Sequence, residues 1–446
     1  MSSLNQSRKA ENSSLKTRES IGAAQPRESR YLLWALLLLI WSSLGVYAWC
    51  VVCVYKAYRF SLGRNEASLQ RAIRLQPRDA SNYDLLGQYF IWDGQDPRAA
   101  AAQFQRAVSL NPYESSYWIH LAQSENSLGN SGEQASAIRK AITVDPTTPD
   151  VAWTAANFFL VQGETQEALD QLAMVLRSDP SKADAALDLS WRVAGDVKPI
   201  QDRMPPDPEI YLRLVKLLVA KQQWTAADRA WSSTLRLNRE LDARSALAYV
   251  DALLAKRDVA AAQVAWQQIT SRSTRLQAYI APENLVVNAR FNQEFLNAGF
   301  DWHYSAQPGV TVALDSTQSY QGAEALLIRY PGGSNEDAGL SQFIPVNPGV
   351  RYVASAWVKS EELESANGPQ LVVDDGYRRH EYSRSEETLG TSGWHQVRAP
   401  FTTGEDTNLI VIRFSRMPGS TLIRGKFWIA NVQLLQDIEN NIPPTH

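Results

Sequence analysis

The chain has 446 residues, enough for about two or three domains, and its formal charge of −3 with a pI near 6.0 excludes a nucleic-acid binder that works through a basic surface. Two cysteines, Cys50 and Cys53, exclude a disulfide-stapled fold and a four-cysteine zinc ribbon, and five scattered histidines argue against a multi-histidine metal centre. The charge is uneven: residues 1–59 carry eight Lys/Arg against three Asp/Glu, residues 60–283 sum to −2, and residues 284–446 sum to −6.

Residues 1–30 are polar with almost no bulky apolar side chains, which predicts a disordered tail. Residues 31–55 then run 25 positions without a charge, more than the roughly 20 needed to cross a hydrocarbon core, with Tyr31, Trp34, Trp49 and Tyr55 placed for interfacial anchoring. The expected element is an uncleaved signal anchor; the rival is a signal peptide cleaved after Ala48, where Val46-Tyr47-Ala48 has the small-residue spacing. Arg and Lys flank the span on both sides, before it (Arg27, Arg30) and after it (Lys56, Arg59, Arg64), so the positive-inside rule is nearly balanced. We expect the N-terminus in the cytoplasm and the bulk of the chain outside it. Cys50 and Cys53, at i and i+3, read as small apolar fillers of a membrane helix.

From residue 60 to 270 the chain is periodic. Gln76-Pro77, Asn111-Pro112, Asp145-Pro146 and Asp179-Pro180 recur at spacings of 35, 34 and 34, each ending a two-helix unit. The first unit reads Tyr83, Leu86, Gly87, Phe90, Gly94, Ala100, Phe104 and Ala107; the second has Trp118, Leu121, Ala122, Gly129, Ile138 and Ala141; the third has Trp153, Ala156, Phe159, Gly163, Ala168 and Leu172. A fourth, from 182 to 204, has its second helix obscured by Pro199, Pro205 and Pro206, and two degenerate units follow around Trp231 and Trp266. This pattern resembles the tetratricopeptide repeat, and the resemblance implies an all-α solenoid that holds a partner protein on the face of its first helices. On helical phase the candidates for that face are Gln88, Trp92, Gln123, Asn126, Trp153 and Asn157: amides for a peptide backbone, indoles for an apolar anchor. Each reads equally as ordinary surface or inter-helix packing.

After a linker at 271–283 the period changes from 3.6 to 2. Strands are predicted at 310–313, 323–329, 339–345, 351–359, 370–374, 395–402, 408–414 and 426–435, which makes an all-β sandwich or jelly roll over 284–437, with a tail at 438–446. The opening ENLVVNARFNQEFLNAGFDWHY and the later NPGVRYVASAWVKS, SGWHQVRAPFTT and KFWIANVQLL resemble jelly-roll carbohydrate-binding modules, which implies a saccharide ligand. Where that resemblance would place calcium-associated residues the chain has Ala430, Ala289 and Asn292, so no cofactor is expected, with a structural calcium as the alternative. By alternation Arg351, Val353, Ser355, Trp357 and Lys359 share one face and Tyr352, Ala354, Ala356 and Val358 the other, core, face. Trp357 is therefore the leading platform for a sugar ring. The segment from Asp374 to Tyr382 adds Tyr377, Tyr382, Asp375 and His380 as saccharide candidates, with a solvated hairpin as the plain alternative. Trp302, Trp394 and Trp428 are expected in the core.

Nucleophile elbow, Walker loop, dinucleotide fingerprint and His-Glu-x-x-His are all absent from the sequence, and adjacent Asp374 and Asp375 point to opposite faces of a strand, so they cannot make a glycosidase pair. The expectation is a membrane-anchored, non-catalytic scaffold whose repeats bind a protein and whose sandwich binds a saccharide, accessory to envelope polysaccharide or glycan assembly or export. The alternative is a structural assembly factor that binds proteins only.

Overall fold

The computed structural model describes residues 28–335, 337–417, 419 and 422–437, which form two compact units divided between Ser178 and Asp179. Of the tail expected at 1–30, residues 1–27 lie outside the described residues and 28–30 open the first helix; the tail expected at 438–446 lies outside them as well. The chain is multidomain, with an apolar N-terminal helix, helical repeats and an antiparallel two-sheet sandwich.

The first unit begins with α1 (Glu28–Ser61), whose apolar surface is exposed as far as Tyr55. It is long and apolar enough from Tyr31 to Ser61 to cross a membrane, a property a signal sequence shares. A short turn leads to α2 (Glu66–Leu75), opened by an Asn65 capping box with Ser68. Three hairpins follow: α3 (Ala80–Trp92) with α4 (Pro97–Leu110), α5 (Ser115–Leu128) with α6 (Ser131–Val144), and α7 (Pro149–Gln162) with α8 (Thr165–Ser178).

The Asx-Pro punctuation has a local cause. The carboxylate of Asp145 accepts the N–H groups of Thr147 and Thr148, and the Asn111 amide oxygen accepts that of Tyr113, so each residue closes a turn around the following proline. Six residues after each of two prolines, Tyr83 Oη donates to Pro77 O and Trp118 Nε1 to Pro112 O, tying the next helix to the turn. Within a hairpin the partners approach closely: a Cβ on Gly87 would lie 2.5 Å from the Phe104 ring. Ala100, Phe104, Ile119, Leu121, Ile138, Ala155 and Phe159 are buried in the continuous core this produces.

The second unit opens with a 3₁₀ turn (Pro180–Lys182) and α9 (Ala183–Ala194), whose partner α10 (Val197–Gln201) spans only five residues because Pro199 and the Pro205-Pro206 pair leave no room for more. Then come α11 (Pro208–Ala220) with α12 (Trp224–Arg236), and α13 (Ala243–Ala255) with α14 (Val259–Thr270). The left-handed residue that ends a first helix is Gly129, Gly163 or Gly195 in three hairpins and Gln222 or Arg257 in the last two. The last two repeats thus keep the fold of the earlier ones without the glycine.

Residues 271–283, the expected linker, are themselves structured. They carry α15 (Thr274–Gln277), bury Leu276 and Tyr279, and join the sandwich through Tyr279 Oη donating to Glu294 O and Asn288 N–H donating to Tyr279 O. The reason is apolar: two large side chains in this stretch have a core to enter.

The sandwich has one sheet of β1 (His303–Tyr304), β4 (Asp337–Pro345), β9 (Leu409–Ser415), β6 (Gln370–Asp375) and β7 (Glu381–Arg384), in that order. The other runs β2 (Thr311–Tyr320), β3 (Ala323–Gly333), β10 (Ile423–Gln436), β5 (Arg351–Glu364) and β8 (Gly390–Thr402). Neighbouring strands in both sheets run antiparallel, and Phe291, Trp302, Leu326, Ile328, Tyr352, Ile410, Phe414 and Phe427 fill the space between the sheets. Strands β1 and β7 are not visible in the sequence; two and four residues are too short to show alternation.

The sandwich is seated on the last helices of its own unit by a few specific contacts. Gly299 N–H donates to the Asp251 carboxylate on α13 at 2.6 Å, and Phe300 meets Trp266 of α14 edge-on at 5.7 Å. Gly299 is left-handed (φ +60°), and a Cβ there would fall 2.7 Å from the Trp266 ring. Both conditions require glycine. Nearby, Asp301 is fully buried; its Oδ2 accepts the Leu296 N–H at 2.7 Å while Oδ1 has no partner among the described residues. Burial pushes its carboxyl up to about 7, against the backbone N–H that favours the charged form.

This seat can be tested at two positions. Gly299→Ala combines left-handed strain with overpacking and lowers stability by about 2–4 kcal/mol, read as a fall in thermal midpoint, and Gly299→Ser is expected to be no milder. Because the folded-state pKa of Asp301 is raised, its contribution is complete below the ordinary carboxylate pKa and is lost as pH rises toward 7, at no more than about 1.4 kcal/mol per unit. Asp301→Asn keeps an acceptor for Leu296 and removes the titration, so the stability of the variant relative to the parent increases between about pH 4.5 and 7.5 in urea titrations. A difference that stays flat with pH would show that Asp301 does not titrate as described.

Candidate functional site

In the repeats of the first unit, the first helices α3, α5 and α7 adjoin one another, and the expected partner-binding residues divide into three groups. Gln123, Asn126 and Asn157 come together around an apolar recess of about 230 Å³ whose floor is Ile138 and Phe158, with 84% exposed Val161 at its rim. Gln88 is instead bound into the hairpin stack, its Nε2 donating to Asp84 at 2.6 Å. The same buried carboxylate meets His120 Nδ1 at 2.7 Å, a charge-capable pair between α3 and α5 that sequence phase does not single out. Tyr117 lies near it, and burial with the added field of Asp84 pushes its phenol up to about 12. Trp92 is 75% exposed and Trp153 half-buried; neither lines the recess.

In the sandwich, β5 follows the expected alternation: Tyr352, Ala354, Ala356 and Val358 point into the core, and Val353, Trp357 and Lys359 are half-buried on the outer face. There Trp357 lies opposite Ala430 on β10 and Gln396 on β8. It is not alone. Tyr320, the last residue of β2, stacks on Trp357 with centroids 4.1 Å apart and planes at 24°, and Trp394 on β8 approaches the same Tyr320 at 5.6 Å. Trp394 does not take the core position expected of it; it stands two residues from Gln396, the partner of outward Trp357, so plain alternation puts it on the outer face, half-exposed. Trp302 is fully buried between the sheets as expected.

Trp428 is buried for a different reason. It sits on the outer face beneath Lys359 and Lys426, whose ammonium groups lie 5.2 and 5.8 Å from its ring centroid, and its Nε1 donates to Asp315 at 2.8 Å. Lys359 Nζ donates in turn to Gln318 at 2.9 Å. Hydrogen bonds from Thr317 and Trp428 hold the Asp315 carboxyl below the usual carboxylate range. The outcome is three aromatic rings edged by fixed amide, carboxylate and ammonium groups. Sequence reasoning misses Tyr320 because β2 carries a three-residue irregularity between Asp315 and Ser319, which breaks the period before the tyrosine is reached. The one signal for it is its place just before the Gln321-Gly322 turn.

The remaining saccharide candidates lie elsewhere, and the structure does not join them to Trp357. Tyr377 is no platform: its Oη donates to Leu254 O on α13 at 2.9 Å and Arg257 covers its ring at 5.2 Å. Tyr382 packs on Phe401 and shares a 2.6 Å hydrogen bond with Thr407 Oγ1. Asp375 is 8% exposed and accepts the N–H groups of Tyr377 and Arg378 and the Thr407 hydroxyl. Burial raises its carboxyl pKa, but these donors outweigh it and the net direction is down. His380 is exposed, edge-on to Tyr382 at 4.6 Å. Asp375 and His380 do share a polar cleft of about 450 Å³ with Asp374, Arg378, Arg379 and Arg413, in which Arg413 is paired with Asp374 at 2.5 Å and Arg378 with Asp406.

The residues do not fit a calcium ion at the position the resemblance would place one. Ala289 and Ala430 are buried and offer no side-chain oxygen, and among the described residues no group of three or more His, Cys, Asp or Glu side chains could hold a metal.

Fold and site define a helical-repeat protein with a β-sandwich module. A carbohydrate binding domain family matches residues 283–421, and a tetratricopeptide repeat family matches residues 92–150. The chain therefore carries tetratricopeptide repeats and a C-terminal module of the carbohydrate-binding kind, both non-catalytic types of domain. None of the curated proteins matches it. Among solved structures, Pseudomonas aeruginosa PilF is 17% identical over 46% of this chain and 99% of its own, with a TM-score of 0.23. A CBM4 structure is 13% identical over 34% and 99%, with a TM-score of 0.27. The first repeat domain of Spaghetti (RPAP3), bound to an HSP90 peptide, is 14% identical over 26% and 92%, with a TM-score of 0.25.

Proposed function

We propose that the protein is a non-catalytic scaffold held in a membrane by residues 31–55, with its N-terminus in the cytoplasm and its bulk outside, whose repeats take a partner protein and whose sandwich takes a saccharide. The role is accessory to envelope polysaccharide or glycan assembly or export. The observation that carries the saccharide part is the outer-face cluster of Tyr320, Trp357 and Trp394. Flat rings suit the C–H faces of a pyranose, and Gln318, Gln396, Lys359 and Asp315 are polar groups for its hydroxyls. Trp357 stays in this site as the support beneath Tyr320, whose outer side meets the ligand; Tyr377, Tyr382 and Asp375 are assigned to holding the module together.

On the repeats, the recess between α5, α6 and α7 takes an apolar anchor of the partner while Asn126, Gln123 and Asn157 bond its backbone. Confinement of both modules at one surface raises the effective concentration of each ligand for the other, so weak contacts suffice.

A second reading, assembly of proteins without any sugar, is favoured by Tyr377. An aromatic that sequence reasoning offers to a sugar is used instead to seat the sandwich on α13.

The test is a glycan array probed with the full chain in detergent, beside Tyr320→Ala, Trp357→Ala and Trp394→Ala. Binding to one glycan class is expected, weakened about tenfold or more by Tyr320→Ala, since a lost stacking contact of this kind corresponds to roughly 1.4 kcal/mol. A folded parent that binds no glycan on the array would move the reading to the protein-only scaffold. Binding that survives all three variants would place the sugar on another face.

A further inference from the structure

We propose that the α1–α2 hairpin is a docking element for anionic lipid headgroups, set beside the point where α1 leaves the bilayer. The inference rests on the reading of residues 31–55 as a membrane anchor and adds a second, electrostatic contact to it.

The geometry comes from how α2 folds back. After Ser61 the chain turns within four residues, and α2 runs ten residues along α1, about 15 Å at 1.5 Å per residue. The face of α1 that it covers is marked by the fall in exposure at Cys53 and Phe60, both half-buried, and at Ala57, 3% exposed, positions spaced by four and three on one helix side. Leu69 and Ala72 of α2 are buried in return, and the Arg71 guanidinium lies 5.8 Å from the centre of the Phe60 ring. About fifteen ångströms back from Ser61 is the level of Val51 to Cys53, inside the end of the uncharged run that closes at Tyr55. The C-terminal half of α2 is thereby level with the membrane boundary.

What α2 carries to that level is positive charge. Lys56, Arg59, Arg64, Arg71, Arg74 and Arg78 are all exposed, and among the described residues none of them makes a salt bridge. The stretch 56–79 holds only two acids, and both are occupied: Glu66 accepts from Gln70 Nε2, and Asp79 caps α3 through Ser81. Six cations without a carboxylate partner, on a rigid hairpin at a bilayer boundary, match a layer of phosphodiester headgroups, which needs cations spread over a surface and no defined pocket. Arg71, lying over Phe60, shows the amphipathic posture that suits an interface, its stem on an apolar ring and its charge outward. Residues 213–239 of the later repeats also hold six Lys/Arg against the single acid Asp228, but there Arg213, Lys221 and Arg229 are paired with carboxylates.

The experiment uses the full chain with Cys50→Ser and Cys53→Ser and one fluorophore on Gln70→Cys, on the exposed side of α2. The chain is reconstituted in phosphatidylcholine vesicles or in phosphatidylcholine with about a third phosphatidylglycerol, each with a trace of lipid spin-labelled at the headgroup. Quenching is expected to be at least about twofold stronger in the anionic vesicles, to lose that excess at about 0.5 M salt, and to lose it in the Arg64→Gln/Arg71→Gln/Arg74→Gln variant. Circular dichroism melting confirms that the variant keeps its helices. Equal quenching in both vesicle types, or an excess indifferent to the triple variant, overturns the proposal. Abolition of the excess by millimolar inorganic phosphate at constant ionic strength also overturns it, by assigning the cations to free anions. Alkaline carbonate extraction from neutral vesicles separates the two readings: a chain released by carbonate has no anchor, whereas a retained chain with equal quenching keeps the anchor and loses only the headgroup contact.

Discussion

The alternation of β5 is the constraint on which the candidate sugar site depends. Burying Tyr352, Ala354, Ala356 and Val358 between the sheets leaves the residues between them no direction but outward, and Trp357 is one of them. A slip of one residue would send the indole into the core and expose a tyrosine and a valine. The bulk of the sandwich interior therefore fixes where the aromatic surface lies, and the pairing of Trp357 with Gln396 puts Trp394, two residues along β8, on the same side. Tyr320 completes the group from the end of β2, a strand well upstream in sequence, so the cluster exists only once β2, β3, β10, β5 and β8 have aligned.

The second unit couples helices to strands through an interface that is small but specific. A backbone N–H meets a carboxylate at Gly299 and Asp251, a phenol reaches a helix-terminal carbonyl at Tyr377 and Leu254, and Trp266 packs against Phe300. Each contact satisfies a polar group that would be costly to bury alone or covers an apolar face that a terminal repeat would leave open. The sandwich serves as the cap of the last hairpins. Asp251 shows the electrical consequence: burial drives its carboxyl pKa up, against the Gly299 N–H and the field of His303.

At the other end of the chain, the same packing rule gives a different result. The hairpin of α1 and α2 buries Ala57, Leu69 and Ala72 and so makes the long apolar helix continuous with the first folded unit. In the repeats that follow, Gly87 against Phe104 brings the two helices of one hairpin close, Asx turns at Asn111 and Asp145 lead into the next hairpins, and Gln123, Asn126 and Asn157, from two different helices, reach one recess.

Much of the fold is legible in the sequence because its causes are local. A proline ends a helix wherever it stands, a 3.6-residue apolar period makes a helix face, an uncharged run of 25 residues has the length of a bilayer, and alternation distinguishes the inner and outer faces of β5 before any partner strand is known. The resemblance to repeats and to a sugar-binding sandwich follows from those patterns. Other features depend on partners distant in sequence. Tyr377 lies 123 residues from the carbonyl it bonds, so nothing near it distinguishes a seat from a sugar platform. Irregular pairing hides Tyr320, and the face Trp394 takes follows from which residue of β8 pairs with Trp357. The kinds of element and their order are written in the chain itself, because backbone conformation responds to neighbours a few residues away. Which aromatic rings face solvent together, and which are used up holding the molecule, is settled only when the strands and helices pack, because ring burial depends on surfaces that sequence neighbours do not supply.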